Sequence, residues 1–589
     1  MKKRISIHYL ILIGAIALGA ILRFWHLDLK PLWMDEVITA IFSLGKSYND
    51  LPIGVVFPLD RVQEIFTFQP KVSCPQIAEN IARQSTHPPL FFCSMHAWLG
   101  WLSHDEQEWV SKLRALPALF GVGAIAAIYA VNLAFSKTSA LTAAAVMAVS
   151  PFAVYLSQEA RHYTLPMLLI TLGLLGIMQI QQDIFLKQKV RFWVWFRWAI
   201  INSIALYVHY FCVLAFIAQI ATLILLIYYP LYAKSIKQIK RQIWFALILS
   251  ISAVAISFIP WLMVMLSHFH RSETDWLKTT AHIAPFFQTL INWVLMVISL
   301  PVENQPLPIA IISGFLMLMF AIWVGRQIFL GLRVLWRTPK THLATLTLLS
   351  FSGWVLLEFF AIIYFLNKDL TLVPRYNFVY YPSFCALIGA SLSKSQKSSW
   401  KLKREHQSAQ RADPTQAAGS GNRHPLLSAK VKSQNLLIFL LVGVLSSIFV
   451  VSNLVFEKPF KPEQVARNMN QNSAVPLMVV MAYRDYQDVA LGLSFGLEVE
   501  KVRKIDDSEK LDKFAFFKNS QELSVWEQLS QLPAPAISKM NLWVIAPGIK
   551  RRDYPPQIAM SRFNCTIDSR QHYRIGVPYQ LYRCGDFKL

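Results

Sequence analysis

The feature that most constrains this chain is a recurring run of about 20 apolar residues, each followed by a short charged connection. Wound as a helix, one such run spans the ~30 Å hydrocarbon core of a bilayer. Inside lipid the backbone has no water to bond, so runs like these are satisfied only as helices in a bundle. Composition agrees. Of the 589 residues 54% are hydrophobic and 15% charged, where a soluble domain carries roughly a quarter charged residues. The sequence predicts a mainly α, polytopic transmembrane helical bundle. The net charge of +23 would point a soluble protein toward nucleic acid. Here many basic residues fall in short connections and one long linker, a placement that fits positive-inside topology and anionic lipid headgroups rather than nucleic-acid readout.

The N-terminus, Met1-Lys2-Lys3-Arg4 before an apolar stretch to Trp25, has no convincing cleavage site and reads as an uncleaved first helix with its basic end cytoplasmic. Residues 26–86, with Pro31, Pro52, Pro58, Pro70 and Pro75, read as an external loop carrying short surface helices. Further apolar stretches run over 88–103, 112–135, 138–156, 164–182, 196–208, 210–229, 242–267, 286–300, 306–330, 342–366, 373–392 and 436–456. Counting every one gives thirteen spans, but that places Lys187, Lys189, Arg191, Lys234, Lys237, Lys240 and Arg241 outside. If 88–103 and 286–300 do not cross, these connections become cytoplasmic, leaving eleven spans, an inner N-terminus and an outer C-terminus. Asp105, Glu106 and Glu108 then lie outside; dropping 138–156 instead of 88–103 satisfies the parity equally.

The predicted organisation is a transmembrane module over 1–392, with its first external loop at 26–111, then a basic cytoplasmic linker over 393–435 containing Gly419-Ser420-Gly421. A last span at 436–456 leads to a small extracytoplasmic α/β domain over 457–589. Within that domain Val475–Ala482 and Leu542–Ala546 read as strands, Glu463–Met469 and Asp485–Leu493 as helices. The six cysteines lack zinc-ligand spacing. Cys565 and Cys584 could form a disulfide if their end lies outside the cytoplasm.

Eleven spans put four polar stretches on the outer face: Trp33-Met34-Asp35-Glu36, His87-Pro88-Pro89-Leu90, Ser157-Gln158-Glu159-Ala160-Arg161-His162-Tyr163 and Pro374-Arg375-Tyr376-Asn377. His209-Tyr210 falls on the same side. Ionisable residues at membrane depth are costly and default to functional readings. The planar arginine fork matches phosphate, so Arg161 and Arg375, with Tyr163 and Tyr376 beside them, are candidates to hold a lipid-linked phosphate. A carboxylate such as Asp35 can take the proton of an acceptor hydroxyl, with Glu36, His87 and His209 in support. Each has a plainer alternative. The arginines could pair with Asp35, Glu36 or Glu159 to hold helices together, His209 could be a packed histidine, and the tyrosines could form an interfacial belt.

Taken in order, WMDE at 33–36, HPPL at 87–90, RALPALFG at 114–121 and SP at 150–151 followed by SQEARHY at 157–163 resemble the GT-C membrane glycosyltransferases that use polyprenyl-phosphate sugars. Among these they are most similar to the protein O-mannosyltransferase and lipid A aminoarabinose transferase group, over roughly residues 1–230. The resemblance implies inverting transfer of a sugar from a lipid phosphate to an extracytoplasmic lipid, glycan or protein, in the cell inner or plasma membrane. It implies Asp35 as the catalytic acidic residue and Arg161 as a donor-phosphate ligand. His87 stands where the aminoarabinose branch has lysine, so that branch's substrate is not transferred. The stretch around Arg161 lacks the Asp that some relatives carry after it. Asp35, Glu36, His87 and Glu159 therefore offer at most a weak divalent-metal site. Two other classes compete: a transporter or flippase for a lipid-linked or small anionic substrate, for which Glu358 inside an apolar run speaks, and a non-catalytic envelope-assembly scaffold.

Overall fold

The computed structural model describes residues 2–102, 108–230, 238–269, 271, 277, 283–393, 425–505, 511–520, 524–533, 537–560 and 563–586. Asp105, Glu106, Lys234, Lys237 and linker residues 394–424, with Gly419-Ser420-Gly421, lie outside that set. Among the described residues seven helices are long and apolar enough to cross a membrane: Ile7–Phe24, Trp109–Asn132, Thr164–Leu186, Lys240–His268, Leu307–Arg337, Pro339–Leu366 and Gln434–Val451. An eighth is added if Lys137–Val149 and Pro151–Ser157, bent by 57°, count as one span. The expected count of eleven is therefore too high by this measure, and helix length is the reason. Phe192–Leu206 and Cys212–Tyr228 have 15 and 17 residues, about 22–26 Å at 1.5 Å per residue. The helices in the two stretches assigned as non-crossing, Leu90–Trp101 and Ala284–Leu295, have 12 residues each. That is about 18 Å, well short of the hydrocarbon core.

The chain divides into two compact units, Met1–Leu27 with Arg114–Phe456, and Asp28–Leu113 with Glu457–Leu589. The first is helical. Its kink follows from Ser150-Pro151: proline has no amide hydrogen to continue the ladder, and the Ser150 side chain accepts from the Ala153 amide to start the next helix. Arg23, wholly buried, donates to the carbonyls of Ala148 (3.0 Å) and Met147 (2.8 Å), satisfying the end of the preceding helix. Side-chain hydrogen bonds also cross between helices: Trp198 Nε1 donates to Gln219 Oε1 (2.7 Å), and Gln219 Nε2 to Asn202 Oδ1 (3.0 Å). Small residues bring backbones close. A Cβ on Gly389 would stand 2.5 Å from the Ala143 Cα.

The second unit is built on a seven-stranded sheet: β1 Val56–Pro58, β2 Leu477–Tyr483, β3 Lys513–Lys518, β4 Lys539–Ile545, β5 Gln557–Met560, β6 Phe563–Ile575 and β7 Val577–Asp586. The order is β1-β3-β2-β4-β7-β6-β5. Central β2 runs parallel to both neighbours; the other pairings are antiparallel. β2 is buried from Leu477 to Ala482, as a strand covered on both faces must be. Strand β1 comes from the first loop, so residues 28–113 and 457–589 share one sheet and one compact unit. Cys565 and Cys584 are partners across β6 and β7 and form a disulfide; a second joins Cys74 to Cys93. Buried Arg503 forks onto Asp512 at 2.6 and 2.8 Å.

Candidate active site

In the second unit the Met34–Ser43 helix begins at extended Trp33, with Asp35 and Glu36 in its first turn. The positive end of the helix dipole favours carboxylates there. The Ser494 hydroxyl donates to the Leu32 carbonyl at 2.7 Å, tying down the approach to that turn. The two carboxylates then part company. Glu36 is fully buried and meets the buried Lys458 Nζ at 3.4 Å; that ammonium also lies 5.8 Å from the centre of the Trp33 ring. Asp35 is only half-buried and so keeps exposed surface where Glu36 keeps none. His87, also half-buried, shares a 2.9 Å hydrogen bond between Nδ1 and the Ser85 hydroxyl and sets its ring edge against Phe92. The Cys74–Cys93 bridge closes the segment that carries it.

In the first unit the kink at Ser150-Pro151 sends the chain through Pro151–Ser157 into an irregular turn over 158–163. Three contacts set that turn. Ser157 donates to the Ala153 carbonyl at 2.6 Å, Gln158 Nε2 to the Trp25 carbonyl at 2.8 Å, and Thr164 to the Pro117 carbonyl at 2.9 Å. Gly121 is required beneath it, because a side chain there would collide with the Ser157 hydroxyl. Arg161, His162 and Tyr163 are thereby held buried.

Arg375 arrives from a separate 3-10 turn, Pro374–Val379, which Asn377 Nδ2 closes by donating to the Pro374 carbonyl at 2.7 Å. Its Nε donates to the Tyr163 hydroxyl at 3.0 Å. The guanidinium carbons of Arg161 and Arg375 lie 5.7 and 5.9 Å from the centre of the Tyr163 ring. One phenol is thus flanked by two permanent cations, an arrangement suited to an oxyanion with several acceptor atoms. Tyr155 accepts a further hydrogen bond from Arg375 and stacks on Phe456 at 4.4 Å. Tyr376 sets its ring against Phe211 at 4.9 Å. His209 packs on His162 at 4.7 Å and Phe378 at 4.8 Å. Burial, and then the Arg161 charge, push its pKa down to about 3, so its imidazole is neutral at physiological pH.

Of the residues singled out from sequence, Arg161, Tyr163, His209, Arg375 and Tyr376 lie in the first unit, and Asp35, Glu36 and His87 in the second. Among the described residues no group of three or more His, Cys, Asp or Glu side chains forms a metal cage, the set of Asp35, Glu36, His87 and Glu159 included. The sequence alone does not single out Lys458 or Tyr155. Lys458 stands past the last span in a stretch with no motif, and Tyr155 sits inside an apolar run, so neither carried a local signal.

A polytopic helical bundle with a mixed α/β unit is the GT-C fold of membrane glycosyltransferases, the fold that the sequence resemblance implied. It is shared by ArnT from Cupriavidus metallidurans bound to undecaprenyl phosphate, at 13% identity over 98% of this chain and 97% of that one, with a TM-score of 0.50. The apo state of the same protein matches at 12% identity over 99% and 98%, again at 0.50. The Archaeoglobus fulgidus oligosaccharyltransferase in complex with Zn and sulfate lies further off, at 11% identity over 90% and 67% and a TM-score of 0.45. No family model and no curated protein matches the sequence.

Proposed function

We propose that the protein is an integral membrane glycosyltransferase that moves a sugar from a polyprenyl-phosphate donor to an extracytoplasmic lipid, glycan or protein, with inversion at the anomeric carbon. The observation that carries this reading is the pair of guanidinium groups around Tyr163. Two guanidinium groups, brought from positions 161 and 375 to one ring, offer a phosphate more charge and more donors than a single surface cation would. A protein of the same fold binds undecaprenyl phosphate, which supports a polyprenyl phosphate as the lipid. The two disulfides of the second unit support an oxidising compartment for it, hence an extracytoplasmic side for Asp35 and the C-terminal segment.

In this reading Asp35 takes the proton of the acceptor hydroxyl as that oxygen bonds to the anomeric carbon. The bond from the carbon to the donor phosphate oxygen breaks, and its electron pair leaves with the phosphate. Arg161 and Arg375 hold that phosphate and stabilise the charge it gains. Glu36, committed to Lys458, orients the turn and takes no proton.

The test uses membranes supplied with a labelled polyprenyl-phosphate sugar. Asp35→Asn, nearly isosteric, should slow transfer by about 10²–10⁴-fold, the usual worth of a general base. Arg161→Ala should impair donor use more than Arg161→Lys, which keeps charge but loses the fork. Equal donor consumption by wild type and Asp35→Asn would remove Asp35 from the chemistry.

A further inference from the structure

His209 has one ring nitrogen committed and one not. Its Nδ1 lies 3.0 Å from the backbone N–H of Phe211, which can only donate, so Nδ1 presents its lone pair. A neutral imidazole in that position carries its proton on Nε2. The side chain is 8% exposed, yet Nε2 has no hydrogen-bond partner among the described residues and is not one of the buried polar atoms sealed from solvent. An N–H donor is therefore fixed in direction, nearly buried, and left with a small exposed surface. Its surroundings are Arg161, whose charge acts on the ring, and the rings of His162 and Tyr163 at 4.7 and 6.0 Å.

A histidine kept only for packing gains nothing from such an arrangement, since an N–H near burial without a partner costs free energy. We propose that His209 donates its Nε2–H to the anionic group held by Arg161 and Arg375, as a third ligand of the leaving phosphate. The assignment rests on the phosphate-binding reading above. The backbone bond from Phe211 gives the donor its direction, and neutrality gives it its use. A second point charge beside Arg161 would repel it, whereas a neutral N–H adds a directed bond and keeps its proton when charge grows on the phosphate. Depression of the imidazole pKa by burial and Arg161 keeps it in this form across the physiological range.

The test compares His209→Ala, His209→Asn and His209→Gln in the full-length protein, with Arg161→Ala alongside, in the labelled-donor assay. A Gln amide reaches the Nε2 position and an Asn amide only the Nδ1 position. Alanine and asparagine should lower kcat by about ten- to a hundredfold, the worth of a hydrogen bond to a charged group, with little change in KM. Glutamine should recover most of the loss, a rescue that a packing role would not produce. Asparagine as active as wild type beside an impaired Arg161→Ala would overturn the role of His209 and leave the phosphate reading standing. Unchanged donor use by every variant, Arg161→Ala included, would overturn both. Should the substitutions prevent folding, ¹⁵N-histidine spectra of wild type with undecaprenyl phosphate decide. The Nε2 resonance of His209 should shift and Nδ1 stay, and an unmoved Nε2 would refute the contact.

Discussion

Breaking the ion pair beneath Asp35 gives a quantitative test of how that turn is held. Lys458 Nζ and Glu36 Oε2 are 3.4 Å apart, with side chains 3% and 0% exposed. At an effective dielectric of 20 that separation corresponds to ~5 kcal/mol of attraction. Removing one partner of a buried pair costs about 3–5 kcal/mol, because the other charge is left buried alone. Lys458→Met and Glu36→Gln are the perturbations, since each keeps most of the volume. For a unit of this size each kcal/mol moves the melting temperature by about 2–4 °C. Each single variant should then melt roughly 6–20 °C lower. In the double variant no charge is stranded, and it should be more stable than the sum of the single losses by at least about 2 kcal/mol. The assay is thermal unfolding of the full-length protein in detergent, followed by tryptophan fluorescence. Strictly additive losses, or a shift below about 2 °C for Lys458→Met, would refute the pair as the anchor of the turn.

Two further outcomes follow from the covalent and titrating groups. Maleimide labelling of the denatured protein should modify two thiols, Cys212 and Cys385, without reductant and all six cysteines after reduction; four or more labelled before reduction would contradict the bridges. The pKa of His209 is held near 3 when folded and returns to about 6.5 when unfolded. Its contribution to stability is thus complete above about pH 6.5 and is lost as pH falls toward 3. Relative to His209→Gln, the wild type should lose about 2 kcal/mol between pH 7 and pH 5, measured as the difference in melting temperature across that range. A constant difference would refute the buried neutral ring.

Residues differed in how much their own neighbourhood told. The sequence put short helices in the 26–86 loop without fixing their ends; that one runs over Met34–Ser43, with Asp35 and Glu36 in its first turn, is seen only in the fold. The grouping of Arg161, His209 and Arg375 on one face came from counting basic connections, an argument that tolerates errors in the number of full-length spans. The count itself failed at the short helices, since the runs at 196–208 and 210–229 fold as Phe192–Leu206 and Cys212–Tyr228, below the length of a full span. β2 and β4 were visible as continuous apolar runs. β6 was not, since Asp568, Arg570, Gln571, His572 and Arg574 break its alternation. Nothing in sequence could pair Glu36 with Lys458 or β1 with β3, because neither contact has a local pattern and both join distant segments.

The pairing of β1 with β3 also bears on how the protein is made. The two strands are some 450 residues apart, so at roughly 5–20 residues per second the first waits on the order of a minute for its partner to leave the ribosome. Through that interval Val56–Pro58 is an unpaired edge and the turn at Asp35 lacks the lysine that neutralises Glu36. The order of synthesis therefore makes assembly of the Asp35 turn a late event. A chain that loses its final segment forfeits the candidate base's support.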